Sequence, residues 1–155
     1  MNDLKIIEES LYKEICSKMP IPCVDIIIQN KKGHFLLVKR TNEPLKSKFW
    51  LPGGRILKEE SVNDALSRKC KEELDLLVDP SEFKFTGFSQ ANYVKNAFGS
   101  DGGYHTISLV FICLHAFEES SVSLDSQSSE FKFSLRLPDE FLDSFEEMST
   151  AYIYK

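Results

Sequence analysis

Gly53, Gly54, Glu60, Arg68, Glu72 and Glu73 combine residue types and spacings that suit phosphate chemistry. Consecutive glycines permit positive φ and let a backbone approach a ligand closely. A carbonyl from such a turn, that of Gly53, can join carboxylates around a hard cation such as Mg²⁺, which takes oxygen ligands. Two arginines stand nearby in sequence: Arg55 directly after the turn, and Arg40 at the end of an apolar run. Each alone is most simply a surface residue. Beside a metal-like loop, they suit recognition of phosphate oxygens. The pattern predicts a divalent-metal site that holds a diphosphate.

The elements that must position these residues can be read from the pattern around them. Ser61 can cap a helix, and Asp64 three residues later completes a capping-box pattern. At about 100° per residue, Val62, Leu66, Cys70, Leu74 and Leu77 share one arc, the expected buried face. Glu73 falls inside that arc, where a carboxylate is costly unless paired or metal-bound. Glutamate pairs are ordinarily solvated helix faces. That reading serves Glu72, about a quarter turn away, but not Glu73. Lys69 precedes Glu72 by three residues and Glu73 by four, so it can pair with either.

Before this segment, residues 3–18 carry apolar residues at helical steps (Leu4, Ile7, Leu11, Ile15), predicting a helix that covers a sheet or a partner subunit. Residues 23–29 and 34–40 read as strands joined by the turn Asn30-Lys-Lys-Gly33, a hairpin over 23–40. Asp25 interrupts the first strand, as a strand-end residue facing solvent or as a functional carboxylate. Residues 41–49 read as a polar loop. Residues 83–94 and 104–116 read as strands around a Gly-rich connection at 95–103. Residues 131–135 read as a short strand and 139–148 as a last helix. The chain of 155 residues reads as one domain over 1–155, with residues 1–19 a helical extension. Strands interleaved with few helices predict an α+β fold, a mixed sheet packed between helices.

Bulk properties narrow the function. A net charge of −5 argues against general binding to nucleic acid or an anionic membrane, both of which need basic surface. Cys16, Cys23, Cys70 and Cys113 show no CxxC spacing, and most sit in apolar runs; buried free thiols and a cytoplasmic location are expected. No apolar run is long enough to span a membrane.

The segment from Gly54 resembles the Nudix box, G-x5-E-x7-R-E-U-x-E-E-x-G-U, with U a bulky aliphatic. Gly54, Glu60, Arg68, Glu72, Glu73 and Leu76 match in register, and Trp50-Leu-Pro-Gly-Gly leads into it. Lys69 stands in place of the first glutamate of the R-E pair, Cys70 in an aliphatic place, and Asp75 in place of the second glycine. The resemblance implies an α/β/α sandwich and a Mg²⁺- or Mn²⁺-dependent hydrolase of nucleoside diphosphate derivatives. The runs Ile21-Pro-Cys-Val-Asp-Ile-Ile-Ile28, Gly33 to Asn42 and Phe49 to Arg55 are similar to the GDP-mannose mannosyl hydrolases. Members of that subfamily release GDP and sugar by C–O cleavage at the anomeric carbon, using one metal, arginines and a histidine base.

Carried over by position, this resemblance implies that the Gly53 carbonyl, Glu73 and Gln127 hold the metal, and with Glu72 they make the expected metal-binding set. Arg40 and Arg55 bind the diphosphate, and Asp25 lies in the nucleotide-sugar pocket. Ser128 follows Gln127 where the base histidine is expected, and serine needs its own activator for that work. Glu130 and His105 are candidate substitutes, each also explicable as an ordinary surface acid or strand histidine. Tyr104 and Phe98 can stack on a nucleobase or simply pack locally. The expected catalytic set is Arg40, Arg55, Glu73 and Glu130, acting on a nucleotide sugar. Cleavage of a P–O bond and a non-catalytic nucleotide-sugar sensor are the alternatives. The resemblance also implies a homodimer through the N-terminal helix.

Overall fold

A computed structural model describes residues 7–99, 101–124 and 128–147. The elements in chain order are α1 (Glu9–Lys18), β1 (Ile21–Ile27), β2 (Phe35–Arg40), β3 (Phe49–Trp50), β4 (Gly53–Arg55), α2 (Val62–Leu74), β5 (Phe83–Lys95), β6 (Asp101–Cys113), β7 (Ser128–Ser134), α3 (Asp139–Ser144) and β8 (Phe145–Glu147). The fold is α+β, as the pattern predicts, but it has two sheets rather than one. The larger runs β4-β1-β6-β5-β8, with β1 parallel to β6 and the other pairs antiparallel. The smaller runs β3-β2-β7 and is antiparallel.

The expected hairpin over 23–40 is real only at its tip. Gln29 bridges Phe35, Asn30 N–H donates to the His34 carbonyl, and Leu36 N–H donates to the Ile28 carbonyl at 2.8 Å. Beyond this joint β1 enters the larger sheet and β2 the smaller. The reason is that both strands are apolar on both faces, so each is buried between layers instead of lying on one surface. Val24 and Ile26 of β1, with Ile28 just beyond it, face one way, against Ala65, Leu66, Cys70 and Leu74 of α2. On the other face Ile27 joins a cluster with Phe141 of α3, and Cys23 joins one with Cys16 of α1. Asp25 falls between those two clusters.

Several boundaries differ from the sequence reading. The first helix is described only from Glu9, and its buried side is Tyr12, Ile15 and Cys16, whereas Leu11 is half exposed. Helix α2 ends at Leu74 because Asp75 adopts the left-handed conformation at φ 57°. That residue stands where the box has glycine, and the backbone still makes the glycine-type turn. The turn rotates Leu76 into the core and leaves Leu77 81% exposed, against its expected burial. The Gly-rich connection is shorter than expected, since Asp101–Gly103 already belong to β6. The last helix stops at Ser144, and Phe145–Glu147 pair with β5 as an edge strand. All four cysteines are free and buried. Among the described residues no helix is long and apolar enough to cross a membrane.

Candidate active site around the Gly53–Gly54 turn

The turn into β4 separates two polar centres, and each glycine faces one of them. A Cβ on Gly53 would meet the Val24 carbonyl at 2.2 Å and Asp25 Oδ1 at 2.8 Å. A Cβ on Gly54 would meet Lys69 Cε at 2.9 Å, and Gly54 sits at φ 150°. Both positions therefore require glycine, one for backbone contact with β1 and one for the lysine stem.

Asp25 lies on β1 opposite Gly53, flanked by β6. It is 8% exposed, so the solvent-facing alternative does not hold. Burial pushes its carboxyl up to about 6, opposed by hydrogen bonds from Ser108 and Ser89 and by the charge of Arg40. Asp25, Arg40, Gly53 and Gly54 line one cavity of about 100 Å³ with Trp50, Tyr93, Tyr104, Thr106 and Ser108. Among the described residues, none belonging to an α-helix lines it. The cavity is the gap between the clusters under α1 and α3. Thr106 and Ser108 were not singled out in the sequence. Their signal was available: two hydroxyls at i and i+2, leading into the apolar run Leu109–Cys113, share one face of the strand.

Glu73 lies on the other side of the turn, 4% exposed, as its place on the helical wheel predicts. Its Oε2 accepts from Gly53 N–H at 3.2 Å, and its Oε1 sits 2.7 Å from Lys69 Nζ. Burial pushes its carboxyl upward, and the Lys69 charge works against that shift. Glu72 is partly exposed and shared between Arg68 Nη1 at 3.1 Å and Lys69 Nζ at 3.9 Å. Glu60 is held by a two-pronged contact from Arg68, Nε to Oε1 at 2.5 Å and Nη2 to Oε2 at 2.8 Å. Arg68 Nη2 also donates to the Arg55 carbonyl at 3.0 Å. Glu60 and Arg68 thus clamp the loop before α2 to β4.

The expected residues are only partly brought together. Arg40 reaches the Asp25 cavity while its Nε donates to the Pro44 carbonyl at 3.2 Å. Arg55 lies over the Tyr12 ring at 4.9 Å, and it lines an apolar groove of about 450 Å³ beneath α1. Tyr104 lines the cavity, stacks on Tyr93 and shares a hydrogen bond with Tyr12 of 3.1 Å between hydroxyls. Phe98 packs edge-on against Tyr12. Glu130 is exposed on β7, 3.2 Å from Lys39 Nζ, and is not among the cavity's residues. His105 is half-buried on β6, 3.1 Å from Gln90 of β5. Gln127 lies outside the described residues.

A divalent ion does not fit the described donors as they stand. The cation against Glu73 is the Lys69 ammonium, and Arg68 engages Glu60 and Glu72. Among the described residues no three His, Cys, Asp or Glu side chains converge as a metal-binding group.

Comparison with known proteins accords with this architecture. The chain is 28% identical over 128 residues to the low-salt glycan biosynthesis protein Agl8 of Haloferax volcanii, covering 81% of this chain and 78% of that one. It is 36% identical over 112 residues to an ADP-ribose pyrophosphatase of Methanocaldococcus jannaschii, covering 72% of this chain but only 61% of that relative's length. The fold matches the crystal structure of a MutT protein from Methanosarcina mazei, with TM-score 0.62 and 24% identity over 81% of this chain and 91% of that one. Nudix hydrolases generally use divalent metal ions such as Mg²⁺ or Mn²⁺, which makes Lys69 a departure. The sequence model of the NUDIX domain matches residues 19–148, and the chain belongs to the Nudix hydrolase family.

Proposed function

We propose that this chain hydrolyses a nucleoside-diphosphate sugar, with GDP-mannose the first substrate to test. The observation that carries this reading is the cavity that Asp25 and Arg40 line together with the Gly53–Gly54 turn. A guanidinium beside a close-approach backbone turn suits a diphosphate. A buried carboxyl with two neighbouring hydroxyl residues, Thr106 and Ser108, suits sugar hydroxyls. At about 100 Å³ the cavity accommodates the reacting groups only, since whole-ligand pockets run to roughly 300–1,000 Å³. The nucleoside would extend across the mouth, beside Tyr93 and Tyr104. Relatives named for glycan biosynthesis and for ADP-ribose cleavage support the same substrate class.

In this mechanism Arg40 meets the negative charge that develops on the departing diphosphate oxygen. A preorganised donor there is worth more than in water because the site is largely buried. Asp25 orients the sugar, and its negative charge favours a positively charged anomeric centre. Water oxygen then bonds to the anomeric carbon as the C–O bond to the diphosphate breaks, giving nucleoside diphosphate, free sugar and a proton released to solvent. A second reading, P–O cleavage, is favoured by the 36% identical pyrophosphatase and by the presence of both Glu72 and Glu73.

Turnover of a nucleotide-sugar panel in ¹⁸O-labelled water separates the readings. Label in the sugar is expected, and label in a phosphate selects P–O cleavage. Ligand-induced stabilisation without any turnover points to a sensor and overturns both. Arg40→Met is expected to lower kcat/KM roughly a hundredfold with little change in melting temperature.

A further inference from the structure

The cation seated against Glu73 belongs to the chain itself. Lys69 is 7% exposed, although lysine is among the side chains least often buried. Its stem lies in the room that Gly54 leaves by having no Cβ. From that seat the ammonium reaches Glu73 Oε1 at 2.7 Å and Glu72 Oε2 at 3.9 Å, while Gly53 N–H holds the other oxygen of Glu73. These are the carboxylates and the turn around which a divalent ion is expected. A dication taking the same oxygens would have to displace a covalently attached positive charge and leave it buried without a partner, at high cost in a low dielectric. Substituting lysine for glutamate at this place also changes the local charge by two units. A dication is favoured by carboxylates and disfavoured by a neighbouring ammonium.

We propose that Lys69 is a tethered replacement for the divalent ion of this site. Its ammonium neutralises the buried Glu73, so that a diphosphate can settle at the Gly53–Gly54 turn against Arg40 with no metal bound. The ligand class rests on the functional reading above, whereas the metal independence rests on Lys69 alone.

The test uses the purified full chain with two probes, Mn²⁺ followed by electron paramagnetic resonance and inorganic pyrophosphate followed by calorimetry. The unmodified chain is expected to bind pyrophosphate equally, within about twofold, in EDTA or in Mn²⁺. Lys69→Glu, which returns a carboxylate to the box, is expected to bind Mn²⁺ roughly tenfold tighter or more than the unmodified chain and to lose pyrophosphate binding in EDTA. Should that variant fail to fold, Lys69→Ala opens the cation position with Glu72 and Glu73 in place, and it too is expected to gain Mn²⁺ affinity. The proposal is overturned by a Mn²⁺ site in the unmodified chain that Glu73→Gln removes. It is equally overturned by pyrophosphate binding that requires Mn²⁺ or that does not occur. None of these readouts uses turnover, so a nucleotide-sugar panel that goes uncleaved defeats the functional reading and leaves this one standing.

Discussion

Two buried carboxyls flank one turn and are accommodated in different ways. Glu73, behind the turn, has an ammonium against one oxygen and a backbone N–H against the other. Asp25, in front of it, has hydroxyls for partners and Arg40 for nearby charge, and burial pushes its carboxyl up to about 6. The first is a closed ion pair within the helix–sheet layer. The second lines a cavity, and burial outweighs its hydroxyl partners and the Arg40 charge. The contrast teaches that burial of an acid does not by itself mark a ligand-binding group. What marks it is which partners the fold has already supplied.

The largest expected effect comes from breaking the closed pair. Glu73→Gln leaves the Lys69 charge buried without its counter-ion and should lower the unfolding free energy in urea by about 3–5 kcal/mol. The double variant Lys69→Met with Glu73→Leu should recover most of that loss. A single variant within about 1 kcal/mol of the unmodified chain would mean that the pair is solvated rather than closed.

Asp25→Asn probes the open side and should act in the opposite direction. Between the ordinary 3.8 and about 6 the folded state holds a proton that the unfolded chain has released. Stability therefore falls as pH rises through that window and stays lowered above it. The asparagine variant escapes this, so its unfolding free energy in urea should be higher at pH 8, by about 2–3 kcal/mol, with the difference closing near pH 4. It should also lose turnover, the usual exchange when a destabilising functional group is removed. A pH-independent difference would remove Asp25 from the list of strained groups.

Smaller effects sharpen the border between the two centres. Arg55 stacks on Tyr12 under α1, so Arg55→Ala should cost about 0.5–1 kcal/mol and loosen α1 in hydrogen exchange. A fall in turnover far beyond that loss would return Arg55 to the diphosphate, as its sequence position suggests. The smallest change belongs to Glu130→Gln, where an exposed pair with Lys39 is worth about 0.2–1 kcal/mol. A collapse of turnover in that variant would make Glu130 the base.

The burial of Glu73 was legible because Ser61 fixes where α2 starts and the helical period does the rest. The same reasoning placed Leu77 wrongly, since the wheel assumes a helix that Asp75 ends. The separation of Arg40 from Arg55 could not be read from one dimension. Both flank the glycine turn in sequence, but they stand on strands of different sheets and line different cavities. Asp25 remained ambiguous until the register set it opposite Gly53 and between the clusters under α1 and α3. Lys69 had two carboxylates within helical reach, and only the stem's seat against Gly54 selects Glu73. The two sheets escaped a reading of adjacent strands as a hairpin because pairing at a tip does not commit the rest of two doubly buried strands.

That tip has a mechanical consequence. The sheets are joined where Gln29 meets Phe35, and Arg40 stands at the other end of β2. From Phe35 to Arg40 the strand covers about 17 Å, so a tilt of about 3° at the joint displaces the guanidinium's strand by about 0.9 Å. Shifts of that size are enough to spoil catalytic alignment. Residues around Asn30, whose side-chain oxygen accepts from the backbone N–H of Lys32 and His34, therefore bear on where Arg40 sits from the opposite end of its strand.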